Sequence, residues 1–333
     1  MYAWGGSDPA NWQGSQNYNY GSARARYDQT AAAAGLTGSR TYTRRTEPDT
    51  TLTNARGKTI SSDSTDPIII GIDETGSMAS WPGEIFDRLP LFCQTLWKYR
   101  PNAEFAICAL GDAYSDRYAL QVTDFTRDPK ELEVRVKALG CEGNGGGQGK
   151  ESYELFGYYM LNKCLTPNAT SPFLIIYGDE DFYPEVDPQQ VRHYIGDRQE
   201  APIPAQQVWQ SLQQRFNIYR MHKPYDSGSG NSQIIASWES ALGQERVIKM
   251  QDEQRAVDHS LGLIAKLWGE YEDFTTNLNA RHDDSSVKNS VHASLRHIDA
   301  TPPAASVITA QVVPQLPYRS RLKLPVPQKS RRR

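Results

Sequence analysis

Three side chains in the first third of the sequence share the chemistry of ligands for a hard cation. Asp73, Thr75 and Ser77 alternate along Ile72-Asp73-Glu74-Thr75-Gly76-Ser77-Met78, so a tight turn can aim all three at one point. One carboxylate and two hydroxyls are oxygen donors of the kind that suits Mg²⁺ or Mn²⁺. Hydroxyls are uncharged, so one or two carboxylates do not saturate a divalent cation. Mg²⁺ prefers six oxygens and keeps water where protein does not reach. A position left open in this way attracts an external Asp or Glu. Asp followed by Thr or Ser is also ordinary turn chemistry, so the elements around the triplet must give it its meaning.

The triplet follows Pro67-Ile68-Ile69-Ile70-Gly71-Ile72, a short apolar run rich in β-branched residues that reads as a buried parallel strand. Residues 83–99 then carry Ile85, Phe86, Leu89, Phe92, Leu96 and Trp97 at near-helical spacing, with Pro90 predicting a kink or a break. Glu104–Leu110 reads as a second strand ending at Gly111-Asp112, and Tyr118–Asp124 as a third. Asp128-Pro129 predicts a helix to Leu139, with Asp128 as N-cap and Pro129 at the first helical position. A glycine loop over 143–152 precedes a helix from Tyr153, and Phe173–Tyr177 is a further buried strand ending at Gly178-Asp179.

Beyond it the spacing predicts helices near 204–216 and 231–242, strands near 217–222 and 246–250, and one long helix over 253–274. Strands alternating with helices give a doubly wound, mostly parallel α/β sheet with right-handed crossovers. Ligands of such sheets bind beyond the carboxyl ends of the strands. Three of those ends are acidic here: Asp73, Asp112 and Asp179. Glu180 and Asp181, which follow, are expected to face water, with tuning of a bound metal as the alternative.

The pattern D-x-T-x-S after a buried strand, the Gly-Asp at 178–179 and the loop Gly145-Gly146-Gly147-Gln148-Gly149-Lys150-Glu151 together resemble the von Willebrand factor A (VWA) family over about residues 66–275. The likeness extends to that family's metal-ion-dependent adhesion site (MIDAS). The usual family form is D-x-S-x-S, and Thr75 keeps the hydroxyl of the middle position. The loop resembles the Gly-Gly-Gly-Asp-x-x-Glu of one VWA branch, in which a Thr or Asp supplies a third ligand. Gln148 stands at that place here; its amide oxygen is neutral and a weaker donor. The resemblance implies a Rossmann-like fold and a Mg²⁺ or Mn²⁺ site of Asp73, Thr75, Ser77, Gln148 and Asp179. It also implies binding of a partner's Asp or Glu through the metal. By analogy with intracellular VWA proteins, an AAA-type ATPase is an expected partner.

Rival chemistries fail on particular residues. Asp73-Glu74-Thr75 resembles the D-x-D-x-T of aspartate-nucleophile phosphatases, but Thr75 holds the general-acid position. Tyr183 stands where the later acidic motif of those enzymes needs Asp. Asn144 and Glu151 break a phosphate-binding loop, Gln148 breaks a G-x-G-x-x-G pattern, and the six histidines show no zinc spacing. The expected protein is therefore an interaction module without catalytic activity of its own, with phosphotransfer at Asp73 as an alternative.

The charge balance of -3 hides an uneven distribution. Residues 66–279 carry 19 Lys and Arg against 31 Asp and Glu, whereas 280–333 carry ten against three. Residues 1–65, rich in Gly, Ser, Thr, Asn and Tyr, are expected to be disordered, and 280–333 to form a basic, proline-rich, extended tail. Tyr and Trp interleaved with Arg24, Arg26 and Arg40 near the start, and the basic end, suit nucleic acid as an alternative partner. No apolar run reaches transmembrane length, and Met1–Gly6 is not a signal-peptide start, so no membrane association is expected. Four dispersed cysteines read as buried free thiols, which fits a cytoplasmic location.

Overall fold

The computed structural model describes residues 47–79, 81–142, 149–225, 228–251, 255–282 and 284–299. In chain order the elements begin with a helical turn α1 (Thr50–Thr53) and a short strand β1 (Ile60–Ser61). They continue with β2 (Pro67–Asp73), α2 (Trp81–Tyr99), β3 (Glu104–Leu110), β4 (Leu120–Val122) and α3 (Pro129–Ala138). Next come β5 (Lys150–Glu151), α4 (Tyr153–Lys163), β6 (Cys164–Leu165), β7 (Phe173–Gly178), β8 (Asp181–Phe182), β9 (Glu185–Val186), β10 (Ile203–Pro204) and α5 (Ala205–Gln213). The last are β11 (Asn217–His222), α6 (Gly228–Leu242), β12 (Val247–Lys249), α7 (Ala256–Trp268), α8 (Tyr271–Arg281) and α9 (Ser285–Ser294).

Six strands form the central sheet in the order β12-β11-β7-β2-β3-β4, all parallel except the antiparallel edge strand β4. Strand β2 is buried on both faces because successive side chains alternate. Ile68, Ile70 and Ile72 join one core with α2, α7, α8 and α9, while Ile69 joins the other with α4, α5 and α6. This is the doubly wound α/β arrangement expected from the alternating pattern. From β2 the chain moves outward to β3 and β4, then returns beside β2 as β7 and moves the other way. The reversal leaves a crevice at the carboxyl ends of β2 and β7, where an open α/β sheet holds its ligands.

Several expectations change in detail. Helix α2 is continuous through Pro90, which is itself buried on a helix most of whose residues are buried, so core packing holds the helix across the missing N–H. The long helix expected over 253–274 is two helices. Gly269 ends α7 at φ +81°, a left-handed cap that residues with a Cβ rarely adopt, and its N–H reaches the carbonyls of Ala265 and Lys266. The boundaries drawn at 65 and 280 fall inside the folded unit. Asp49 caps α1 and bonds Ala138 O at 2.8 Å through its N–H, Ile60 is fully buried, and β1 pairs with β6. At the other end Val291, Leu295 and Ile298 join the core against α7. Both segments are polar stretches anchored by one to three apolar residues on distant partners, which local periodicity does not reveal. The remaining parts of the expected tails, 1–46 and 300–333, lie outside the described residues.

Candidate metal centre at the switch point

Register sets the site. Ile72 of β2 lies opposite Tyr177 of β7, so Asp73 and Asp179 leave the sheet side by side. Beyond Asp73 the chain tightens into a short 3-10 turn, Gly76–Met78, that brings Ser77 back toward the crevice. Asp73 and Asp179 are fully buried and Thr75 nearly so. The Thr75 hydroxyl donates to Asp73 Oδ1 at 2.6 Å, and the Thr75 N–H donates to the same oxygen at 2.9 Å. The Ser77 hydroxyl donates to Asp179 Oδ1 at 3.0 Å, and the two hydroxyl oxygens lie 3.3 Å apart. Four of the five residues singled out in the sequence therefore meet at one place. The fifth, Gln148, lies outside the described residues.

Three residues not anticipated complete the network. Tyr153, the first residue of α4, donates its hydroxyl to Asp73 Oδ2. Arg220 Nη2 donates to that hydroxyl at 3.1 Å, and the guanidinium lies against the rings of both Tyr153 and Trp238, 4.3 and 4.5 Å from their centroids. Lys223 Nζ donates to Asp179 Oδ2 at 2.9 Å, with side-chain exposures of 6% and 0%. Arg220 and Lys223 come from the end of β11, next to β7. A charged residue in the apolar run Ile218-Tyr219-Arg220-Met221 is a sequence signal for Arg220, because Arg is seldom fully buried without a partner, whereas nothing in the spacing marks Lys223. Gly178 is needed for the same network: a Cβ there would lie 2.1 Å from the Tyr153 hydroxyl and 2.7 Å from Arg220 Nη1.

The crevice holds more acid than base. Asp112, Glu74, Glu151, Glu154 and Glu180 are buried around Asp73 and Asp179. The expectation that Glu180 and Asp181 face water fails: Glu180 is 6% exposed, and Asp181 is half-buried beside Lys150 at 3.2 Å. Asp112 Oδ1 accepts from the Tyr183 hydroxyl at 3.1 Å and the Tyr114 N–H at 3.1 Å. Asp112 Oδ2 and both carboxylate oxygens of Glu74 find no hydrogen-bond donor among the described residues. Burial, then the charge of Asp179, pushes Asp73 up to about 6 against the hydrogen bonds from Thr75 and Tyr153. Burial and the charges of Asp73 and Asp179 push Glu180 up to about 7. Glu151 is driven far above the usual carboxylate range by burial and by Asp73, Glu180 and Asp112. Burial, then the charge of Arg220, holds His222 down to about 4, so it is neutral and makes its 2.7 Å hydrogen bond to Asn231 uncharged.

The donor set fits an oxygen-preferring divalent cation. Each hydroxyl spends its proton on a carboxylate, which leaves the lone pairs of Thr75 and Ser77 free to coordinate. Asp73 and Asp179 supply carboxylate oxygens, and the buried acids around them can give up protons to balance an entering cation. Among the described residues, no group of three or more His, Cys, Asp or Glu is arranged as a metal-ligand set, so any coordination depends on the hydroxyls. Such a cation would raise the demand for external oxygen ligands and lower the pKa values of the surrounding carboxyls.

Fold and site together define a doubly wound α/β domain with a hydroxyl–carboxylate turn at its switch point. No protein-family model matches the chain, and no curated protein matches it. Among solved structures it is similar to the pilus adhesin SpaC from Lactobacillus rhamnosus GG in its open conformation, at 11% identity and a TM-score of 0.43. That match covers 67% of this chain and 31% of the adhesin, so the chain spans about a third of the adhesin's length. It is also similar to proximal thread matrix protein 1 of the mussel byssus, at 10% identity and a TM-score of 0.39, over 64% of this chain and 48% of that one. A third similar structure is the VWA domain of SpRpn10, at 11% identity and a TM-score of 0.38, over 58% of this chain and 94% of that domain. Each likeness is distant, and the chemistry of the crevice rests on its own residues. Among the described residues no helix is long and apolar enough to cross a membrane.

Proposed function

We propose that the chain is a VWA-type protein-interaction module that binds Mg²⁺ or Mn²⁺ at Thr75, Ser77, Asp73 and Asp179 and takes a partner's Asp or Glu as a further ligand. The observation that carries this reading is the pair of hydroxyls, 3.3 Å apart, each donating to a different buried carboxylate at the switch point. Gln148 is a further donor by resemblance alone. At the rim Tyr114 is 57% exposed and packs on Tyr183 with ring centroids 4.7 Å apart, which offers a partner a rigid aromatic contact beside the metal. An AAA-type ATPase is the proposed partner by analogy with intracellular VWA proteins, and a cytoplasmic location goes with that reading. The four cysteines, free and buried, are compatible with it.

The module has no catalytic activity of its own in this reading. An aspartate nucleophile needs an accessible oxygen, whereas Asp73 is fully buried and both its oxygens are engaged by Thr75 and Tyr153. Calorimetric titration tests the metal directly. Wild type should take up Mg²⁺ or Mn²⁺ and melt later with it, because a ligand of the folded state stabilises by mass action, by about 2.7 kcal/mol at 100 times Kd. Asp73→Asn should lose both responses while staying folded. Equal metal affinity in wild type and Asp73→Asn would remove the site from consideration.

A further inference from the structure

Lysine is among the residues least often buried, yet Lys223 is turned into the crevice. Its backbone is fixed first: the Lys223 N–H donates to Gly178 O at 2.9 Å, which extends the β11–β7 pairing one residue past the strand. Its ammonium then bonds Asp179 Oδ2 at 2.9 Å and reaches Pro224 O at 3.4 Å. Asp179 is thereby shared. Ser77 holds one oxygen and Lys223 the other. Arg220, the other buried cation of this strand, is committed elsewhere, to Tyr153 and to Glu180 O at 3.0 Å. Among the described residues, Lys223 is the cation that pairs directly with a candidate metal ligand.

A divalent ion held by Thr75 and Ser77 would draw on the same Asp179 charge. Two cations on one buried carboxylate repel each other, and that repulsion is little screened away from water. We propose that Lys223 is a resident counter-ion that a divalent metal displaces from Asp179, so that metal uptake and release of the Lys223 side chain are one exchange. The proposal rests on the metal-binding reading of the same crevice. It explains why two buried aspartates at adjacent strand ends are tolerated without metal, since the tethered ammonium neutralises one of them. It also gives the site two states that differ by one charge, because a divalent ion replaces a single ammonium: lysine offsets one of the two aspartates, the metal both. In one, lysine is inside and the crevice is closed. In the other, metal is inside and a cationic side chain stands free at the rim, where an acidic partner arrives.

Because the two cations compete, removing one must strengthen the other. Couplings between competing ligands commonly amount to about 5- to 150-fold. Lys223→Met, which keeps the length of the stem without the charge, should therefore bind Mg²⁺ at least about tenfold more tightly than wild type by calorimetry. Without metal it should melt earlier than wild type, because Asp179 has lost its counter-charge, and Mg²⁺ should raise its melting temperature by more than it raises that of wild type. Lys223→Arg keeps the ion pair and should bind Mg²⁺ no more tightly than wild type. Wild type itself provides a test that does not depend on a variant folding. A brief pulse of an amine-acetylating reagent, read by mass spectrometry, should leave Lys223 protected without metal and modified with saturating Mg²⁺. If Lys223→Met and wild type bind Mg²⁺ equally, or if acetylation of Lys223 does not rise with Mg²⁺ that calorimetry shows to be bound, the exchange is wrong and the metal site stands. If neither protein binds metal, the metal reading and the exchange both fall.

Discussion

Two buried polar clusters lie on the described part of this chain, and they are built on opposite principles. In the helical layer, Asp258 of α7 meets Arg281 at 2.8 Å, Arg255 at 3.3 Å and His282 at 3.4 Å. One carboxylate there faces several cationic donors, and its pKa falls to about 2, with the hydrogen bond from His282 and the charges of Arg281 and Arg255 overcoming burial. At the switch point Asp73, Asp179 and Glu180 share the crevice with Arg220 and Lys223 among the described residues, and Asp73 and Glu180 are pushed up to about 6 and 7. In the first cluster the chain itself satisfies the Asp258 carboxylate, which ties α8 to α7. The second holds acid that the described residues leave unpaired, and burial with mutual repulsion makes part of it keep its protons. Buried charge that is fully paired reads as structure, whereas buried charge left over reads as a place for a ligand.

The largest expected effect breaks the satisfied cluster. Asp258→Ala leaves Arg255 and Arg281 facing each other in a half-dry pocket, and removing one partner of a buried charge cluster costs on the order of 3 kcal/mol. Urea unfolding should show that loss, with the Mg²⁺ response of the folded variant unchanged. A comparable change in metal affinity in Asp258→Ala would mean that the two clusters are coupled and that the contrast between them is false.

The clusters should also respond to pH with opposite signs. A carboxyl whose pKa is raised on folding binds its proton more tightly in the folded state, so its contribution to stability is lost as pH rises. For Asp73 that window runs from about 3.8 to about 6, and for Glu180 from about 4.5 to about 7. Asp258 is lowered, so its contribution is complete above about 3.8 and is lost as pH falls toward about 2. Without metal, the melting temperature should therefore fall as pH rises from 4.5 to 7, by at most about 1.4 kcal/mol of stability per pH unit for each group. It should fall again below pH 3.8. Saturating Mg²⁺ should flatten the upper arm and leave the lower one. An upper arm of the same slope with bound Mg²⁺ would separate those carboxyls from the metal.

The same contrast shows what the sequence reveals. The two strands that matter most, Pro67–Asp73 and Phe173–Gly178, stand out as apolar runs, and an acid stands at the end of the first and just past the end of the second, so the sheet and its acidic edge are legible in the sequence. Thr75 and Ser77 are legible because alternation within a turn is local. Tyr153, Arg220 and Lys223 are not, since their roles exist only after β11 is laid beside β7 and α4 is brought over Asp73, 80 residues from Tyr153. The Asp258 cluster is hidden for the same reason, and further because the break at Gly269 separates α7 from α8 within one apparently continuous apolar pattern. Positions facing a partner far away in sequence escape any reading based on spacing, however regular the elements that carry them.

The smallest effect isolates the hydroxyl that distinguishes the unsatisfied cluster. Thr75 differs from the serine usual in the resemblance by one methyl, and its side chain is nearly buried. Thr75→Ser removes that methyl and keeps the oxygen that donates to Asp73 at 2.6 Å. Its cost should stay below about 1 kcal/mol, the scale of one buried CH₂ group, with the Mg²⁺ affinity held. Thr75→Ala removes the same methyl and the coordinating oxygen with it, and it leaves Asp73 Oδ1 with the Thr75 N–H as its remaining donor from the turn. It should therefore lose the Mg²⁺ response and the chelator-sensitive part of partner binding while remaining folded. If the turn served only to cap the end of β2, both variants would lose a little stability and both would bind metal and partner as wild type does. A folded Thr75→Ala protein whose partner binding is full and indifferent to chelator would show that the hydroxyl takes no part in bridging to a partner. The doubly wound sheet would stand, and the partner surface would have to be sought away from the crevice.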